Sequence, residues 1–77
     1  MTHNAEIKTI INRLNGLNEK RDRMNNRLSI VKQFCKDNGT DYKSNEIYNI
    51  ILNDLSMVNN KMDFYINNLE LFEINPN

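Results

Sequence analysis

A chain of 77 residues with ten basic and ten acidic side chains, and so no formal net charge, makes one small domain at most. Domains this short bury only about 60% of the surface of their unfolded chain, so a disulfide, a metal or assembly is usually needed to hold them. Cys35 is the only cysteine and His3 the only histidine, which excludes an internal disulfide, leaves no ligand set for zinc and points to no metal or cofactor. Assembly is the staple that remains.

The charge is unevenly placed. Residues 1–40 carry eight basic against four acidic residues, a net +4, and residues 41–77 carry the compensating −4. Two segments that fold against each other would show such a split, and so would a basic binding face on the first half. No apolar run exceeds three residues, against the ~20 needed to cross a bilayer, so no membrane segment is expected. A lone cysteine and the lack of a signal peptide point to a reducing, cytoplasmic location. Sixteen asparagines beside abundant Ile and Lys suggest a low-GC genome, and a phage or mobile element is the source that the nucleic-acid-binding alternative below would imply.

In chain order, residues 1–4 are a ragged start with Thr2 or Asn4 as N-caps. A helix over about 4–37 follows, with heptad position a held by Ile7, Leu14, Arg21, Leu28 and Cys35, and position d by Ile10, Leu17, Met24 and Val31. Only Arg21 interrupts this seam, which is a coiled-coil pattern. Asn15-Gly16 is ordinarily turn punctuation, but the phase passes unbroken from Leu14 to Leu17, so a single helix is expected and three helices are the alternative. Residues 38–43 form the turn, with Gly39 as the left-handed residue that ends the first helix and Lys32 and Lys36 in its last turns. Thr40, Asp41 and Ser44 offer N-caps for the next helix.

The second helix spans about 44–73 and is closed by Asn75-Pro76. Its seam is Tyr48, Ile51, Leu55, Val58, Met62, Tyr65, Leu69 and Phe72. Asparagine is a poor helix former, yet within the two helices every asparagine avoids positions a and d. Pairing the seams antiparallel makes facing residue numbers add to 79 throughout, from Val31 with Tyr48 at the turn to Ile7 with Phe72 at the open end. The mid-point falls at Gly39-Thr40, where the turn was placed on separate grounds. The expected fold is therefore all-α: a single-domain (1–77) antiparallel two-helix coiled-coil hairpin. Ile11 and Ile66 flank the seam on one side, and Arg27 lies near Asp54 on the other.

The second helix also carries Ile50, Met57, Phe64 and Leu71 at seven-residue spacing on a different face, joined by Ile47 and Ile74. Scattered exposed apolar residues are ordinary; an aligned row of four exceeds what monomers usually leave open. The simplest closure is a two-fold dimer in which second helices pack together into a four-helix bundle, and a helix of another protein would fill the same surface.

No enzymatic constellation is present. His3 and Cys35 lie at opposite ends of the first helix, Asp54 with Asp63 or Glu70 reads as solvated surface charge, and there is neither a glycine-rich phosphate loop nor a Ser/His/Asp set. Arg21 either lays its stem along the seam and lifts its guanidinium to water, or reaches an acid such as Asp54 as a register device. The basic residues Lys20, Arg21, Arg23, Arg27, Lys32 and Lys36 are the nucleic-acid candidates, but their heptad letters scatter them around the helix and no base-reading cluster accompanies them. In layout the chain resembles the chaperones of type III secretion needle subunits, small helical assembly factors of tailed phages, and the two-helix phosphatases of sporulation response regulators. The phosphatases' Ser-Gln-Glu-Leu-Asp motif has no counterpart, since Ile51-Leu52-Asn53-Asp54 lacks the serine and the Leu-Asp step. The expected function is that of a non-enzymatic coiled-coil interaction protein, an adaptor, assembly factor, chaperone or inhibitor. It would act through Ile47, Ile50, Met57, Phe64 and Leu71, as a homodimer or on a helical protein partner. The second reading is a nucleic-acid-binding regulator using Lys20, Arg23, Arg27 and Lys32.

Overall fold

A computed structural model describes the backbone of residues 2–74 and the side chains of residues 4–72. Helix α1 spans Thr2–Asp37, 36 residues, and helix α2 spans Glu46–Ile74, 29 residues, with a single 3-10 turn at Tyr42–Ser44 between them. The two long helices pack against each other as a rod of 58 × 15 × 14 Å. The side chain of His3 and the Asn75-Pro76 stop lie outside the described residues.

Every expected seam residue is buried or half-buried, from Ile7 to Cys35 on α1 and from Tyr48 to Phe72 on α2. The centre is Met24, Val58 and Met62, against which Leu14, Leu17, Ile51 and Leu55 pack. Leu28 and Cys35 carry the buried seam toward the turn, Cys35 being only 1% exposed. A two-helix seam buries one stripe per helix and leaves its sides open, which is why most of the seam is only half-buried.

Helix α1 runs through Gly16 without a break, so the three-helix alternative does not hold. The hydrogen bonds of the helix interior outweigh the ~1 kcal/mol that glycine costs there. Its start differs from expectation: Asn4 lies inside the helix, not ahead of it. At the other end Gly39 adopts φ +69. The Thr40 amide donates to the Cys35 carbonyl at 2.9 Å and the Gly39 amide to Lys36 at 3.2 Å, the paired bonds of a Schellman stop.

The caps of the turn are redistributed. Asp41 caps the short 3-10 turn, its carboxylate accepting from the Lys43 amide at 3.0 Å. The cap of α2 is Asn45, whose side-chain oxygen accepts from the Tyr48 amide at 3.0 Å. Thr40, Asp41 and Ser44 are therefore not the caps of α2. The Schellman turn and the 3-10 turn use up the intervening residues and bring Asn45 to the non-helical position a cap requires. Asn49 then ties the corner, its amide donating to the carbonyls of Lys43 at 3.1 Å and Asn45 at 3.0 Å. Tyr42 stacks edge-on against Tyr48 with ring centroids 5.0 Å apart. This corner fixes where α2 starts, and hence which residues its outer faces present.

Candidate interaction face

The second row of α2 is exposed along its whole described length. Ile47, Ile50, Met57, Phe64 and Leu71 are each more than half exposed, Met57 at 55% and Phe64 at 61%. They occupy heptad positions c and g, which are neighbours on the helical wheel and lie to one side of the seam. Ile74 of the same row has no described side chain.

The face extends beyond α2. On α1 the c and g positions of the same side hold Ile30 and Phe34, exposed at 60% and 63%. The register places Phe34 within about 3 Å of the level of Ile47 and Ile30 beside the level of Ile50, so Ile30, Phe34, Ile47 and Ile50 share one flank near the turn. Toward the open end, three shallow depressions succeed one another along this flank. The first is lined by Lys20, Asp54, Met57 and Lys61 and the next by Arg13, Gly16, Lys61 and Tyr65. The last, of about 660 Å³, is lined by Glu6, Thr9, Arg13, Asn68, Leu71 and Phe72. An apolar ridge from α2 thus borders a groove whose other bank is α1.

That other bank is basic. Arg13, Lys20 and Arg27 repeat every seven residues at position g, and Arg23 sits at the adjoining c position. Lys61 of α2 joins them in the groove. Positions c and g adjoin, so Lys20, Arg23 and Arg27 of the basic run share one flank with Arg13, while Arg21, Lys32 and Lys36 fall at other positions of α1. Arg13, which stood outside the basic run, is the best-anchored member. Its guanidinium donates to the Tyr65 hydroxyl at 3.1 Å and lies 5.9 Å from the centre of that ring. Tyr65 in turn meets Phe64 edge-on at 5.6 Å, which connects the seam to the apolar row.

The remaining basic candidates go elsewhere. Lys32 places its ammonium 4.9 Å above the Tyr42 ring, at the corner and on the other flank. Arg21 is half-buried in the seam and donates to the side-chain oxygen of Asn18. It therefore turns toward the flank of Ile11 and Ile66 and does not reach Asp54. Arg27 and Asp54 share a side of the hairpin, yet no ion pair joins them among the described residues. In an isolated hairpin such an exposed pair would add at most about 0–1 kcal/mol.

The chemistry available to this face is recognition by burial and charge. Among the described residues no group of three or more His, Cys, Asp or Glu side chains is placed to hold a metal ion, and no helix is long and apolar enough to cross a membrane. The lone thiol, Cys35, is buried beneath the turn. No family model, curated protein or solved structure matches this chain.

Proposed function

We propose that this protein is a non-enzymatic helical interaction module that acts through the c/g face of α2 and the adjoining bank of α1. It is an adaptor, assembly factor, chaperone or inhibitor by class, and association completes the two-helix hairpin to a four-helix bundle. The observation that carries this reading is the exposed row Ile47, Ile50, Met57, Phe64 and Leu71. An aligned apolar row with a polar border marks an association surface, and its helical spacing suits another helix. A small hairpin with only five buried apolar side chains among the described residues, of which Cys35 alone is fully enclosed, also gains stability from any partner that binds the folded state.

Nucleic acid is the weaker reading. The cationic row Arg13, Lys20, Arg23 and Arg27 would suit phosphates, but it is bordered throughout by Met57, Phe64 and Leu71, which a phosphate backbone would leave wet. Lys32 lies outside that row.

The test replaces Met57 and Phe64 together by Asp. Both side chains are exposed in the hairpin, so helicity should survive while association is lost. Far-UV circular dichroism with sedimentation measures both properties. An unchanged assembly mass in the double variant would remove the proposal. Salt-sensitive binding to DNA or RNA that Arg23→Ala and Arg27→Ala weaken would favour the other reading.

A further inference from the structure

We infer that the occupant of this face is a second copy of the chain, related by a two-fold axis parallel to the helices, so that α1 of each copy covers the apolar row of α2 of the other. The inference rests on the proposed interaction face and adds its partner and geometry.

The first support is surface area. A compact monomer of 9.1 kDa should expose about 4,900 Å², whereas this hairpin exposes 6025 Å². The excess of roughly 1,100 Å² is comparable to the ~800 Å² per partner that a stable interface buries. That excess belongs to the rod as a whole, and a standard interface along one flank would remove most of it.

The second support is charge, which chooses between two possible two-folds. An axis perpendicular to the helices stacks α2 on α2 and α1 on α1. Covering the full apolar row in that way sets Lys20 against the partner's Lys20 and Arg13 against the partner's Arg27. Like charges brought together across an interface cost several kcal/mol. An axis parallel to the helices instead alternates the basic and acidic halves around the bundle, each α1 flanked by two α2 helices. Neighbouring helices run antiparallel in both arrangements, so the helix dipoles are satisfied in either and the charge pattern makes the choice.

The third support is register, which symmetry leaves little room to adjust. A parallel two-fold permits no sliding along the rod, so a residue of α1 must lie level with the partner residue whose number completes 79. Interleaving the c and g rows allows layers whose numbers add to 77 or to 84. The first is off level by about 3 Å and the second by about 7.5 Å, at 1.5 Å per residue. The nearer register sets Arg23 against the partner's Asp54 and Ile30 against the partner's Ile47. It sets Arg13 against the partner's Phe64, and the stems of Lys20 and Arg27 over the partner's Met57 and Ile50. Long basic side chains cover apolar surface with their stems while their heads reach the rim, and Arg over Phe adds a cation–π contact. Asp54, which has no ion-pair partner within the hairpin among the described residues, acquires one twice per dimer.

Charge reversal in trans tests this arrangement. Arg23→Glu alone sets two acids together and Asp54→Arg alone sets two arginines together, so each variant should weaken self-association by ~100-fold or more. An equimolar mixture should then form a heterodimer, because one contact is reversed and the other is native. Sedimentation of each variant and of the mixture reads the outcome, with far-UV circular dichroism confirming that both remain helical. A wild-type dimer that Arg23→Glu leaves intact, or a mixture that stays monomeric, would overturn the geometry. A wild type that is monomeric at every concentration would overturn the second copy as occupant, while the Met57/Phe64 variant still decides whether the face binds another protein.

Discussion

Gly16 gives the sharpest test of the hairpin itself. It lies in the interior of α1, its φ is not positive, and a Cβ built on it meets nothing within 4 Å. Gly16→Ala therefore removes backbone freedom from the unfolded chain without a clash in the folded one. The helix-propensity difference is about 0.8–1.0 kcal/mol in favour of alanine. Unfolding entropy near 2.1 cal/mol/K per residue gives ~0.16 kcal/mol/K for a chain of this length, so Tm should rise by about 5–6 °C. Thermal melts followed at 222 nm, with wild type and variant at matched concentration, measure the shift. An unchanged or lower Tm would mean that α1 breaks at Asn15-Gly16 or that the space beside Gly16 is filled.

The cap assignment predicts that Asn45→Ala costs about 1 kcal/mol while Ser44→Ala is nearly neutral, since only Asn45 accepts from the Tyr48 amide; urea titrations of the two variants check the contrast. The core assignment predicts that Met62→Ala, at a side chain 9% exposed, costs about 2–5 kcal/mol. In a chain this small that is enough to lose the cooperative transition, and loss of a sigmoidal urea curve is the readout.

The heptad phase carried most of the fold, because a seam of alternating three- and four-residue steps admits only antiparallel registers seven residues apart and the turn at Gly39-Thr40 selects one, which the half-buried seam from Ile7 to Phe72 follows. The corner was less legible. Thr40, Asp41, Ser44 and Asn45 all have capping side chains, and only the three-dimensional path out of the Gly39 stop decides that Asn45 sits ahead of α2 while Asp41 serves the 3-10 turn. The apolar row of α2 was visible in its seven-residue spacing. The α1 part of the basic bank is written in the same spacing, Arg13, Lys20 and Arg27 falling seven apart, but Lys61 comes from the other helix, and only folding brings it to the groove of Arg13. Arg21 illustrates the limit of pattern alone: the heptad marks it as irregular, but only the coordinates show its guanidinium turned to Asn18.

The chain contains its own reporter for whether association covers the second face of α2. Met57 is 55% exposed on that face and Met62, five residues along the same helix, is 9% exposed in the seam. Peroxide oxidises methionine according to access, so peptide mass spectrometry of the two residues compares face and core in one sample. In the assembled protein Met57 should be nearly as protected as Met62 and become reactive on dilution, while Met62 stays protected. If Met57 reacts as fast as an exposed methionine in wild type and in the Phe64→Asp variant alike, at high concentration and in the presence of host extract, the face is uncovered and the account is wrong.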